Sequence, residues 1–113
     1  MPFIHTMTNV TVSEQAAAAI KAAMGKAITL LPGKTEDWLM VAVSGDNTMF
    51  FKGSDAPCAI AEVKIYGKSS AAAYDRLTGA LTEILAKELS VPADRIYVKY
   101  EEVSVWGWNG SNF

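Results

Sequence analysis

Two hydrophobic periods take turns along this chain. Phe3 to Val12 is rich in β-branched residues and reads as a strand. Ser13 is placed to cap a helix, with Glu14 in its first turn, where a negative charge suits the helix dipole. Apolar residues then recur at Ala16, Ala19/Ile20, Ala23/Met24, Ala27/Ile28 and Leu31, the spacing of one helix face, and Pro32-Gly33 stops the helix. Trp38 to Ser44 is a continuous apolar run, expected to be a strand covered on both faces. Gly45-Asp46-Asn47 reads as a turn, Thr48 to Phe51 as a short strand and Lys52 to Asp55 as a second turn.

The second half repeats this order. Cys58 to Tyr66 reads as a strand, and Gly67-Lys68-Ser69 leads into a helix whose apolar face is Tyr74, Leu77, Leu81, Ile84/Leu85 and Leu89. Ser90-Val91-Pro92 ends it, and Arg95 to Val103 alternates as a strand with one polar face. The tail, Trp106 to Phe113, is aromatic and rich in turn residues.

The pattern is therefore βαβ written twice. Strands flanking a helix pair in parallel through right-handed crossovers. The predicted fold is α+β: one domain over residues 1–113, with a four-stranded mixed sheet and both helices on one face. The opposite sheet face then needs cover, and the chain has only its aromatic tail left to give. A symmetric oligomer that packs sheet faces together would bury it.

Composition narrows the function. The chain has 113 residues, 50% hydrophobic and 19% charged, with a net charge of −2. A domain of this size buries only roughly 60–70% of its unfolded surface, so assembly would help it. The basic residues are scattered and no like-charge run occurs, so no nucleic-acid partner is expected. No apolar run is long enough for a membrane span, and Met1 to His5 carries neither the basic nor the apolar region of a standard signal peptide. One cysteine, Cys58, and one histidine, His5, leave no internal disulfide and little for a metal site. A Cys58–His5 nucleophile pair stays open at this level, beside the plainer reading of a buried strand cysteine and an ordinary histidine. No phosphate-binding glycine loop or dinucleotide fingerprint is present, so no cofactor is expected.

Six short segments carry a resemblance that runs nearly end to end: Met1-Pro2-Phe3-Ile4, Gly33-Lys34, Pro57-Cys58-Ala59, Ile65-Tyr66-Gly67-Lys68, Pro92 to Val98, and Trp106 to Phe113. Their order and spacing resemble the macrophage migration inhibitory factor family of the tautomerase superfamily. The resemblance implies a homotrimer of sheets around a central channel, with phenylpyruvate and dopachrome tautomerase activity in sites at subunit interfaces. It implies that Pro2, exposed by loss of Met1, is the base. Lys34 matches a lysine that holds the substrate carboxylate, and Tyr97 a tyrosine supplied by the neighbouring subunit. Ile65 and Tyr66 match residues flanking the pocket, Trp38 stands where a tyrosine is common, and Trp106, Trp108 and Phe113 match its aromatic wall.

The chemistry suits such a base. Taking a proton beside a carbonyl needs a pKa near the working pH. Proline's secondary amine is too basic unless an apolar pocket and nearby lysines lower it. The expected substrate is a small anionic keto or enol acid, since Lys34, Lys64 and Lys99 would make the pocket mouth more positive. Lys99 replaces a common asparagine, Lys64 a histidine found in some members and Tyr66 an aliphatic residue. Cys58-Ala59-Ile60-Ala61 lacks the second cysteine of a redox pair found in some relatives.

Each residue also has a plainer reading: Lys34 as a solvated lysine at a helix end, Trp38 and Tyr97 as ordinary strand residues, the tail aromatics as packing. Arg76 is expected to be solvated, and Arg95 to fix the turn before its strand through Asp94 or a backbone carbonyl. Two rival functions stand beside the tautomerase. One is a cytokine-like trimer engaging a host receptor, with a vestigial pocket. The other is dehalogenation or hydration of an unsaturated acid, for which neither Arg76 nor Arg95 matches a pocket position. The expected location is the cytoplasm, with export by an unconventional route if the protein signals.

Overall fold

The structure is a computed structural model describing residues 1–113. Strand β1 (Pro2–Thr8) leads to helix α1 (Glu14–Ala27), then strand β2 (Met40–Ser44). Strand β3 (Ala59–Tyr66), helix α2 (Ala71–Leu89) and strand β4 (Ile96–Val103) repeat the order, and a tail hairpin follows, β5 (Gly107–Trp108) and β6 (Ser111–Asn112). The sheet order is β2-β1-β3-β4. β1 pairs with β2 and β3 with β4 in parallel, while β1 and β3 join the two halves in antiparallel register. This is the expected mixed sheet.

Both helices start where a serine hydroxyl accepts a backbone N–H: Ser13 from Ala16 and Ser70 from Ala73. Strict alternation sends Ile4 and Thr6 of β1 and Ala61, Val63 and Ile65 of β3 against the helices, where Ile20, Met24, Leu77, Leu81 and Leu85 meet them. The opposite face carries Phe3, His5 and Met7 beside Ile60, Glu62, Lys64 and Tyr66. Met40 and Tyr97, on its outer strands, are left exposed. The tail packs at one end of this face, Phe113 reaching Tyr66, and leaves the rest open.

Several boundaries differ from the sequence reading. β1 ends at Thr8, where Asn9 turns away to hold the backbone of Asp55, Ala56 and Cys58. Trp38 falls outside β2, in a short 3₁₀ turn, Glu36–Trp38. The expected strand Thr48–Phe51 does not form: Phe51 bridges only Ser54, and no neighbouring strand lies alongside. Arg95 precedes β4 and donates to the carbonyls of Phe51, Ser54, Ala56 and Pro57, so it fixes the loop before β3 and not, as expected, the turn before its own strand. Arg76 is exposed, as expected.

Gly25 is buried in α1, and a Cβ there would run into the Glu36 carboxylate, which also reaches Lys21 at 3.5 Å. The turn that carries Trp38 is thereby seated on the helix. Thr6 is fully buried with its hydroxyl unpartnered. A buried hydroxyl without a hydrogen bond costs about 1–3 kcal/mol. Thr6→Val keeps the shape and removes that cost, so stability should rise by about 1 kcal/mol. The urea midpoint at fixed protein concentration checks this; an unchanged or lower midpoint would show that the hydroxyl is already satisfied.

Candidate functional site

A groove of about 730 Å³ opens at the end of the sheet where β1 begins. Met1, Pro2 and Phe3 form its inner end, Asp37 to Met40 one wall, and Trp106, Gly107 and Trp108 the other. Pro2 is buried opposite Ile65 of β3. A proline fits this first strand position because no ladder hydrogen bond is asked of its nitrogen.

The walls come from two irregular segments. The 3₁₀ turn before β2 presents Trp38. The tail hairpin turns through Asn109 (φ 51°) and Gly110 (φ 87°), the left-handed pair that a tight two-residue hairpin demands, and presents Trp108. Trp38 meets Trp108 edge-on at 5.0 Å between ring centroids, and Trp108 stacks with Phe113 at 6.3 Å. Phe113 meets the ring of Tyr66 at 5.6 Å, and its N–H is held by the Trp106 carbonyl.

Lys34 enters from the loop after α1 and donates to the Tyr66 carbonyl at 3.0 Å. The Tyr66 N–H donates to the Met1 carbonyl, also at 3.0 Å. Both backbone groups of Tyr66 therefore point to the inner end of the groove. Burial first, then the Lys34 ammonium, hold the Met1 amine at this end below its ordinary value. The other perturbed groups lie elsewhere. Tyr74 is pushed up to about 12 by burial and its hydrogen bond to Glu102, and Tyr100 is raised by burial, both in the contact between α2 and β4.

Of the expected site residues, Pro2, Trp38, Trp106 and Trp108 meet in the groove, with Lys34, Tyr66 and Phe113 adjoining. Ile65 is buried toward the helices as the cross-strand partner of Pro2. Lys64 lies on the open sheet face, opposite Phe3. Tyr97 and Lys99 stand elsewhere. Tyr97 is at the start of β4 opposite Ile60, five positions along β3 from the partner of Pro2, about 16 Å at the strand rise. It packs edge-on against Phe51 at 4.9 Å. Lys99 pairs with Glu101 at 3.2 Å and Glu62 at 3.9 Å, so it adds no positive charge to its own chain's groove. Cys58 and His5 do not meet, because His5 faces Glu62 while Cys58 precedes Ala59, the partner of Thr8. Asp37 lines the groove and was not expected; its place beside Trp38 and three residues after Lys34 was the available signal.

The sequence model described as Macrophage migration inhibitory factor (MIF) matches residues 1–113. The chain belongs to this family. It is similar to the macrophage migration inhibitory factor of Xenopus laevis, 30% identical over all of this chain and 99% of that one. The homolog from Brugia malayi matches at the same identity and coverage. Among solved structures, Leishmania major MIF2 superposes with a TM-score of 0.94 at 36% identity, covering 100% of this chain and 97% of that one. The Prochlorococcus marinus homologue gives 0.89 at 30% identity, covering 98% of each chain. Family membership fits a tautomerase-type or cytokine-like protein. No helix is long and apolar enough to cross a membrane.

Proposed function

We propose that this family member is a keto–enol tautomerase for phenylpyruvate- or dopachrome-type acids, working as a homotrimer with the amine of Pro2 as general base. The observation that carries the reading is the position of Pro2. It lies at the inner end of an aromatic groove, next to the Met1 amine, which burial and then the Lys34 ammonium hold below its ordinary value. With Met1 attached, the Pro2 nitrogen is an amide and has no basic lone pair. Loss of Met1 makes it a secondary amine and takes from the Tyr66 N–H its acceptor, the Met1 carbonyl. That N–H then faces the same space as the Lys34 ammonium, which keeps two protons to donate after holding the Tyr66 carbonyl.

The cycle follows from these groups. The substrate carboxylate docks on Lys34, and its ring lies against Trp38 and Trp108. Neutral Pro2 takes a proton from the carbon next to the keto group. That C–H bond breaks, its electrons form the enol double bond, and the carbonyl π pair moves to oxygen. Donors at Tyr66 and Lys34 stabilise the developing oxyanion. The protonated amine then returns the proton to oxygen and is neutral again. The uncovered sheet face and the separation of Pro2 from Tyr97 in one chain support the trimeric reading.

The deciding experiment follows phenylpyruvate keto–enol conversion by ultraviolet absorbance, using protein whose intact mass shows Met1 absent. Conversion well above the buffer rate is expected. Conversion at the buffer rate would sink this reading and favour the cytokine-like alternative, to be sought as receptor binding that survives a blocked Pro2.

A further inference from the structure

All three tryptophans of the chain line this one groove, and Asp37 is the one ionisable side chain among its lining residues. Asp37 forms no ion pair: Lys21 is taken by Glu36, and Lys34 is turned inward to the Tyr66 carbonyl. Trp38 and Trp108 keep about half their surface exposed, 45% and 52%, so indole surface beyond their contacts with each other and with Phe113 is open to a ligand. The groove thus has the Lys34 ammonium adjoining its inner end, and an outer end walled by indole rings and the unpaired Asp37.

We propose that this outer end is a subsite for an organic cation, so that the preferred substrate is a keto acid whose far end carries an ammonium or guanidinium group. Aromatic faces attract cations through their negative quadrupole, tryptophan most of all, and a carboxylate beside them adds direct attraction. Tryptophans alone would serve a neutral ring equally well. Asp37 adds a preference for positive charge and repels an anionic tail. Lys99, which a neighbouring chain would bring with Tyr97, comes paired with Glu62 and Glu101 and does not reverse that preference. The orientation of the substrate rests on the tautomerase reading; the cation preference at Asp37 does not.

The test uses assembled protein lacking Met1 and two probes without a keto group, 4-(aminomethyl)phenylacetate and its neutral counterpart 4-(hydroxymethyl)phenylacetate. Intrinsic tryptophan fluorescence reads binding directly, since every tryptophan lines the groove. The cationic probe should bind about five- to tenfold more tightly, the combined size of a cation–π contact and an exposed ion pair. Asp37→Asn should shrink that preference to about twofold, leaving the aromatic contribution, while Asp37→Glu should retain most of it. Equal affinities, no binding of either probe, or an undiminished preference in Asp37→Asn would each overturn the proposal. The preference without phenylpyruvate conversion would sink the tautomerase reading and leave this one standing; conversion without the preference would do the reverse.

Discussion

Protein that keeps any residue ahead of Pro2 should convert phenylpyruvate at least about a hundredfold more slowly than protein whose mass shows Met1 gone, the low end of what a general base contributes. An amide nitrogen has given its lone pair to the carbonyl and takes no proton at neutral pH. The extension would also keep a carbonyl on the Tyr66 N–H, as Met1 does, and so occupy the donor that the enolate oxygen needs. Ultraviolet assays on the two samples side by side measure the ratio, and equal rates would remove Pro2 from the mechanism.

The pH profile gives the same base a signature. In the proposed cycle the working form is the neutral amine, so the rate should rise with pH through the amine's pKa and level off above it. Burial, then the Lys34 ammonium, hold the Met1 amine below its ordinary value, and the same two causes acting on a freed Pro2 amine would put the rise at lower pH than for a free proline amine. Lys34→Ala removes the nearby positive charge, so the rise should move to higher pH as the Michaelis constant increases; Lys34→Arg keeps the charge and should leave the rise in place. A Lys34→Ala profile unshifted in pH would confine this residue to holding substrate.

Two nearly inactive proteins should restore activity when mixed, provided they exchange subunits. One carries an extension that blocks Pro2; the other has a free Pro2 and Tyr97→Ala, which alone should lower activity by about tenfold or more through loss of a positioning contact. In one chain Pro2 opens β1 while Tyr97 lies at the opposite end of the sheet, against Phe51. The two can share a site only between chains. After co-refolding at equal amounts, about a quarter of the sites should combine a free Pro2 with an intact neighbouring Tyr97. Activity no greater than the sum of the separate samples would mean that each chain builds its own site, and the shared-site trimer would fall.

The repeated βαβ order was readable because each half shows both periods cleanly. Ile4, Thr6 and Thr8 face the helices at period 2, while Leu77, Leu81, Leu85 and Leu89 follow the helix turn. The misreadings have separate causes. Thr48 to Phe51 is apolar enough for a strand, yet a strand exists only where another lies beside it, and this chain offers none. Phe50 is 70% exposed for the same reason. Trp38 was read into β2 because an apolar residue next to an apolar run looks continuous with it; the 3₁₀ turn before Met40 has no hydrophobic signature. The tail hairpin had a signal in Asn109-Gly110, but its strands are two residues long, below the length at which alternation can be seen. The groove was legible as a list of aromatic residues. Asp37 was not, because a single carboxylate in a turn carries no pattern until the fold brings it to the groove that the tryptophans line.

Gly25 has a bearing on how this protein tolerates change. Helix propensity favours alanine over glycine by about 1 kcal/mol, so a search for more stable variants would select alanine here. The Glu36 tip that occupies the vacant Cβ position is flexible and half exposed, and would swing aside at little cost to the fold. What it would release is the seat of the turn that carries Asp37 and Trp38 into the groove. Position 25 is therefore a place where selection for a sturdier molecule and selection for a well-shaped pocket pull in opposite directions.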